Sequence, residues 1–309
     1  GSENSGHEFA TPGDGLRAYR AAFRHGCRGA AEALCLLPAG RMVQLLACEA
    51  RAARGGVRGD PLQNRRFLAT ALDHQRSAAA LAAEPGAGAL IPVRRLAVVA
   101  PHFDDDAIQA GGAILAARAA GAEVRVIWMT DGARGVPGVP PEESTRIRKA
   151  EARAAMAVLG VNDYHFLDAP EEHVRARGPW TPRLRRLLEE FAPERTHVVW
   201  WADNHVDHYE TARALAAAWP KSLADSRIAS AGTWAPIPLG APLVLSPELR
   251  RRKDEAVQAY RSQVAVVDYL RAERGLTRWQ AAGIPGATHA ERYWEVPAWA
   301  WFAAFRRSG

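Results

Sequence analysis

From residue 93 onward the chain alternates short apolar runs with longer segments in which apolar positions recur at helical spacing. Residues 93–100 (VRRLAVVA) have the length of a buried strand, and 123–129 (EVRVIWM), 164–167 and 196–201 (THVVWW) repeat the pattern. Between and after them, 107–120, 142–159, 182–191 and a stretch ending at 219 carry helical periodicity, with Gly121 and Gly160 as stop signals. Such alternation predicts βαβ units, hence a mostly parallel sheet covered by helices on both faces. Upstream, residues 14–84 are rich in Ala, Leu and Arg and poor in β-branched residues. They predict a helical N-terminal extension over residues 1–85. A Gly/Pro-rich joint, 84–92 (EPGAGALIP), leads from it to an α/β domain over residues 93–309.

With 309 residues, 48% hydrophobic and 24% charged, the chain is neither disordered nor fibrous. Its net charge of +6 invites an anionic partner, but only Lys149, Lys221 and Lys253 of its 40 basic residues are lysine. The arginines are dispersed, with no basic block of the kind that marks a nucleic-acid arm, so no nucleic-acid partner is expected. Cys27, Cys35 and Cys48 are odd in number and lack CxxC spacing, which argues against a disulfide framework or a thiolate metal site and for a reducing, cytoplasmic location. The apolar stretch 30–48 is broken by Glu32, Pro38 and Arg41 and follows no basic leader. Neither a membrane span nor a signal peptide is expected from it.

Two polar clusters follow strands. The first is Pro101-His102-Phe103-Asp104-Asp105-Asp106 and the second Asn204-His205-Val206-Asp207-His208. Ligands of open α/β sheets bind at the carboxyl ends of the strands, where both clusters fall. Taken alone, the first also fits an acidic helix N-terminus favoured by the helix dipole. Imidazole and carboxylate together suit zinc, whose catalytic sites use three protein ligands. His102 and Asp105, three residues apart at a strand-to-helix turn, can face one ion, and His208 would supply a third ligand. Asp104, beside a ligand, stands where a general base is needed, and His205 could donate to a developing oxyanion with Asp207 fixing its tautomer.

The motifs PHFDDD followed by Gly111-Gly112, and NHVDH followed by Thr211, resemble those of the PIG-L/LmbE-like family of zinc-dependent de-N-acetylases. TDGARG at 130–135, Arg148 with Glu151, KDEAVQAYRSQ at 253–263 and AERY at 290–293 extend the resemblance over about residues 93–296. It implies a Rossmann-like α/β fold, one zinc or other divalent transition metal per chain, and hydrolysis of an N-acetyl group on a glucosamine-type amino sugar or its conjugate. By correspondence, His102, Asp105 and His208 are metal ligands, Asp104 the base and His205 the oxyanion stabiliser, with Asp207 beside it. Phe103 replaces the family's usual Pro and is expected to alter the turn or the pocket wall, and Asp106 replaces Glu. Arg134 is expected to wall the sugar site and Arg148 to orient the sugar; their ordinary alternatives are solvation and a pair with Glu151.

The segment 294–305 (WEVPAWAWFAAF), followed by two arginines, has two readings: packing against the N-terminal region, or peripheral membrane contact serving a lipid-linked substrate. A secondary-metabolite glycoside is another substrate consistent with the motifs. Trp234 is a candidate for the pocket border. His165, His173, His197 and His289 stand apart from both clusters and are expected to be structural. Two further functional readings are an amidase acting on a longer acyl group or a thiol-sugar conjugate, and a non-catalytic sugar-binding protein with a degenerate metal site.

Overall fold

Each apolar run becomes a strand of one seven-stranded sheet in the computed structural model, which describes Leu90 and residues 92–203, 205–233 and 240–308. All of these lie in the second of the two units into which the chain divides, residues 76–309. The expected N-terminal extension over residues 1–85, with its three cysteines, lies outside the described residues, as do Asn204 and Trp234.

In chain order the elements are β1 (Arg95–Ala100), α1 (Asp105–Ala119), β2 (Glu123–Thr130), α2 (Pro141–Leu159), β3 (Asp163–Ala169), α3 (Trp180–Phe191), β4 (Arg195–Val199), α4 (Val206–Ala218) and β5 (Arg227–Ala231). They continue with β6 (Ala241–Val244), α5 (Pro247–Ala259), α6 (Arg261–Val264), α7 (Tyr269–Ala281), β7 (Ala290–Pro297) and α8 (Ala298–Ser308). The strand order is β3-β2-β1-β4-β5-β7-β6. The first five strands run parallel, as expected, while β7 is antiparallel to both β5 and β6. The chain reverses its direction of strand addition between β1 and β4, the switch point at which open α/β sheets bind ligands.

β1 shows why its run is apolar throughout. Ala97 and Val99 face a core built with α3, α4 and α8, whereas Leu96, Val98 and Ala100 face a second core with α1, α2 and α5. Both faces are covered, so period-2 alternation of polarity is absent. The C-terminal aromatic segment belongs to the first core. Trp294 and Trp301 are buried, and Trp201 meets Trp301 edge to face at 5.0 Å and Trp294 at 5.7 Å. These aromatics are therefore taken up by Trp201 just after β4, Ser230 of β5 and Tyr209 of α4, and within the segment only Trp299 is prominently exposed. Among the described residues no helix is long and apolar enough to cross a membrane.

The Gly111-Gly112 pair has a packing reason. A Cβ on Gly111 would press on the Lys253 side chain at 3.1 Å, and one on Gly112 would stand 2.3 Å from the Glu291 carboxylate. That carboxylate accepts backbone N–H bonds from Gly112 at 2.9 Å and Ala113 at 3.1 Å, and also bonds Lys253 Nζ and the Tyr293 hydroxyl. Lys253 pairs with buried Glu273 at 2.7 Å as well. A fully buried charge network thus pins β7 and α5 to the middle of α1.

Candidate active site

The two polar clusters meet at the β1/β4 switch point. His102 and Asp105 leave the end of β1, and His205, Asp207 and His208 open α4 after β4. The Asp105 carboxylate is central: its Oδ2 lies 3.1 Å from His102 Nδ1 and 3.4 Å from His208 Nε2, and accepts the His102 backbone N–H at 3.0 Å. Thr233 Oγ1 donates to its other oxygen at 2.8 Å. His102, His205 and His208 each offer a ring nitrogen within 4.8 Å of the others, a group able to hold a metal ion.

The donor set also passes a stricter test. The remaining nitrogen of each outer imidazole is held by a carboxylate, His102 Nε2 by Asp207 at 3.2 Å and His208 Nδ1 by Asp203 at 3.1 Å. Asp203 is itself fixed by the Thr233 backbone N–H at 2.7 Å, and Asp207 by that of Glu172 at 2.8 Å. A carboxylate behind the imidazole is the usual arrangement around metal-ligating histidines. Burial pulls both histidines toward the neutral form. Asp105 and Asp207 nevertheless raise His102 to a pKa of about 9, and Asp105 and Asp203 raise His208 to about 10. Burial would likewise raise Asp105, yet the two imidazoles hold it well below the ordinary carboxylate range. The cluster therefore favours positive charge between an anionic carboxylate and two imidazoles, a setting suited to a divalent cation.

Asp104 sits at φ 149°, a conformation side-chain-bearing residues rarely adopt. The start of α1 holds it there: Ala107 and Ile108 donate backbone N–H bonds to its carbonyl at 3.0 and 2.9 Å. Arg148 braces the same turn, bonding the Phe103 carbonyl and placing Nη2 3.7 Å from Asp104 Oδ2. Burial pushes the Asp104 carboxyl up to about 7 against the opposing pull of Arg148. It can accordingly take and return a proton near neutral pH.

His205 differs from its two neighbours. Burial, reinforced by His102 and His208, lowers it to about 3 and keeps it neutral. The backbone N–H of Asp207 donates to its Nδ1 at 3.1 Å, so the neutral ring carries its proton on Nε2 and is a donor there. The Asp207 carboxylate, expected beside His205, is engaged by His102. The same residue therefore serves both imidazoles, through its backbone in one case and its side chain in the other.

Three substrate-site expectations change. Phe103 is fully buried, its ring edge to face with Trp128 at 5.6 Å and with Phe166 at 5.4 Å, so it packs beneath the site instead of walling it. Arg134 is exposed, pairs with Glu172 at 2.6 Å and is not among the residues lining the pocket. Arg148 does line it, but it is buried and directed to Asp104 and the Phe103 carbonyl; Glu151 instead accepts from Ser262. Asp106, which burial raises to about 6, accepts from Tyr260 at 2.7 Å and Trp128 at 2.9 Å. Gly135, Glu171, Thr233, Gln263 and Tyr269 complete the pocket lining; Gly135 and Gln263 end the TDGARG and KDEAVQAYRSQ segments, whereas Glu171, Thr233 and Tyr269 did not stand out in the sequence. Asp203 was legible only as an acid next to the second cluster.

Comparison with known proteins finds relatives of the chain's central part and of its fold. Residues 97–219 match the family model described as PIG-L, GlcNAc-PI de-N-acetylase. A 90-residue stretch is 37% identical to the 1D-myo-inositol 2-acetamido-2-deoxy-alpha-D-glucopyranoside deacetylase of Geodermatophilus obscurus. That match covers 26% of this chain and 31% of the relative, so the chain spans under a third of the length of the curated relative it matches. A conserved protein of Thermus thermophilus superposes with a TM-score of 0.58 at 25% identity, over 66% of this chain and 95% of that one. The N,N'-diacetylchitobiose deacetylase of Pyrococcus horikoshii shares the fold, with a TM-score of 0.59 at 19% identity over 68% and 86% of the two chains. Residues 97–219, which carry both polar clusters, are a domain of the PIG-L, GlcNAc-PI de-N-acetylase, family.

Proposed function

We propose that the chain hydrolyses the N-acetyl amide of a glucosamine-type amino sugar or its conjugate, with His102, Asp105 and His208 holding one divalent metal ion, zinc in the first instance. The observation that carries this reading is the buried Asp104 carboxylate, raised to about 7, next to a donor set of two imidazoles and a carboxylate. When bound, the metal supplies Lewis acidity and stabilises developing negative charge. Asp104 accepts the proton of the attacking water and returns it to the departing amine. His205, neutral and protonated on Nε2, donates to the oxygen of the tetrahedral intermediate. Arg148 holds Asp104 in its strained turn, and Glu171, Gln263 and Tyr269 on the rim meet the sugar. The deacetylase activities named for the relatives support the same reaction class.

Acetate release from a panel of N-acetylhexosamine conjugates tests this. Release from at least one conjugate, abolished by a chelator and restored by zinc, is expected. Failure on every N-acetyl substrate, alongside cleavage of longer acyl amides, would favour the broader amidase reading. Asp203→Ala probes the metal site separately. It removes the carboxylate behind His208 and should weaken metal affinity about 10–100-fold, as read by competition with a chromogenic chelator. Affinity equal to that of the unmodified protein would remove Asp203 from this role.

A further inference from the structure

α7 stands between two cavities. Tyr269, in its first turn, lines the catalytic pocket, whereas Arg271, Arg274 and Arg278 line an open groove together with Arg250, Asp254 and His289. The carboxylates of this groove are already engaged. Asp254 bonds Arg250 and takes Arg274 at 2.7 Å, and Arg250 also pairs with buried Glu273. Asp268, the remaining acid of the lining, caps α7 by accepting the Arg271 backbone N–H at 3.1 Å. Arg271 and Arg278 are exposed, and among the described residues neither guanidinium has a carboxylate partner. Seven residues apart, they project from one face of α7, about 10 Å from each other along the helix axis.

His289 reports on the field in this groove. Its pKa is lowered by burial and then by Arg250 and Arg278, against the opposing pull of Glu273 and Asp254, so the arginines outweigh the acids at that end. The topology puts it on the functional edge of the sheet. β7 runs antiparallel to β5 with Ser230 opposite Trp294, so its start, and His289 just before it, lie toward the carboxyl ends of the parallel strands.

We propose that this groove is a binding site for a phosphate-type anion, with Arg271 and Arg278 as its principal contacts. Planar guanidinium groups bind phosphate oxygens in pairs, and two of them on one helix face, neither held in an ion pair among the described residues, offer that geometry. The anion is either a free phosphate or diphosphate, or a phosphate carried by the molecule whose other end occupies the catalytic pocket lined by Tyr269 of the same helix. The binding itself does not depend on the deacetylase reading.

Calorimetric titration of the full chain with inorganic phosphate and with pyrophosphate tests the site directly. Saturable binding is expected that weakens as sodium chloride is raised, and that falls at least tenfold in the R271A/R278A double variant. Both arginines are exposed, so circular dichroism should show an unchanged fold. No binding by the unmodified protein, or equal binding by the variant, overturns the proposal whether or not the protein deacetylates anything. The source follows from a second arm, in which KM is compared for a neutral N-acetylglucosamine glycoside and its phosphate-bearing counterpart. A KM advantage of the phosphate-bearing compound that disappears in the variant assigns the anion to the substrate. With anion binding established, equal KM values assign it to the free ion.

Discussion

Asp104→Asn is expected to lower the turnover number for acetate release by about a thousandfold while leaving metal content unchanged, since a positioned acid–base group contributes about 10²–10⁴ in rate. The amide is isosteric with the carboxylate, so the turn at φ 149° and the start of α1 should persist. What is lost is the ability to accept a proton at the one buried carboxyl among the described residues that combines access to the pocket with a pKa near 7. Asp105 is held fully ionised between two imidazoles and cannot substitute. Steady-state acetate assays alongside elemental analysis check the outcome. An Asn variant with full metal content and near-normal turnover would remove Asp104 as the base and shift attention to His205.

Glu291→Ala is expected to destabilise the domain by about 3–5 kcal/mol, the range for breaking a buried ion pair by removing one partner. Its carboxylate gathers four donors: Lys253, Tyr293 and the backbone N–H groups of Gly112 and Ala113. Truncation leaves those two N–H groups and the Tyr293 hydroxyl without acceptors in a dry interior, while Lys253 keeps only Glu273 as its carboxylate partner. Glu291→Gln, which retains an acceptor oxygen, should recover part of the loss. Urea denaturation of the three proteins measures it, and a loss under 1 kcal/mol for the Ala variant would show that the network is not what holds α1 to β7.

How far the sequence revealed this molecule follows from where its charges lie. β1 and most of β2 are apolar on both faces and were visible as runs, as was the VVWW stretch at the end of β4, and the two polar clusters stood out because each follows such a run. The antiparallel edge was harder to see. β7 carries Glu291 and Glu295 four residues apart on one face, where charge normally marks solvent, yet Glu291 meets Lys253 while Glu295 meets Arg195 at 3.0 Å and Arg227 at 2.7 Å. β6 has only four residues, too few for a period to declare itself. At the site, the identities of the imidazoles and carboxylates were legible, whereas their pairing was not. Asp207 was placed with His205 by proximity in the chain, but α4 turns its carboxylate toward His102, 105 residues away. Phe103 was read by its position between two site residues, and its burial against Trp128 and Phe166 depends on β2 and β3, which no local pattern reveals.

The pairing of β1 with β4 also bears on how the proposed metal site would be assembled. Before β4 has been synthesised, the nascent chain offers an ion only His102 and Asp105 from the candidate set, and His208 joins them only when the centre of the sheet closes. Closing a loop of this length is among the later and slower events in building a parallel sheet. Ion capture at the proposed site would thereby be deferred until the domain has folded, and a bound metal would in turn act as a clasp that resists reopening of the β1–β4 seam.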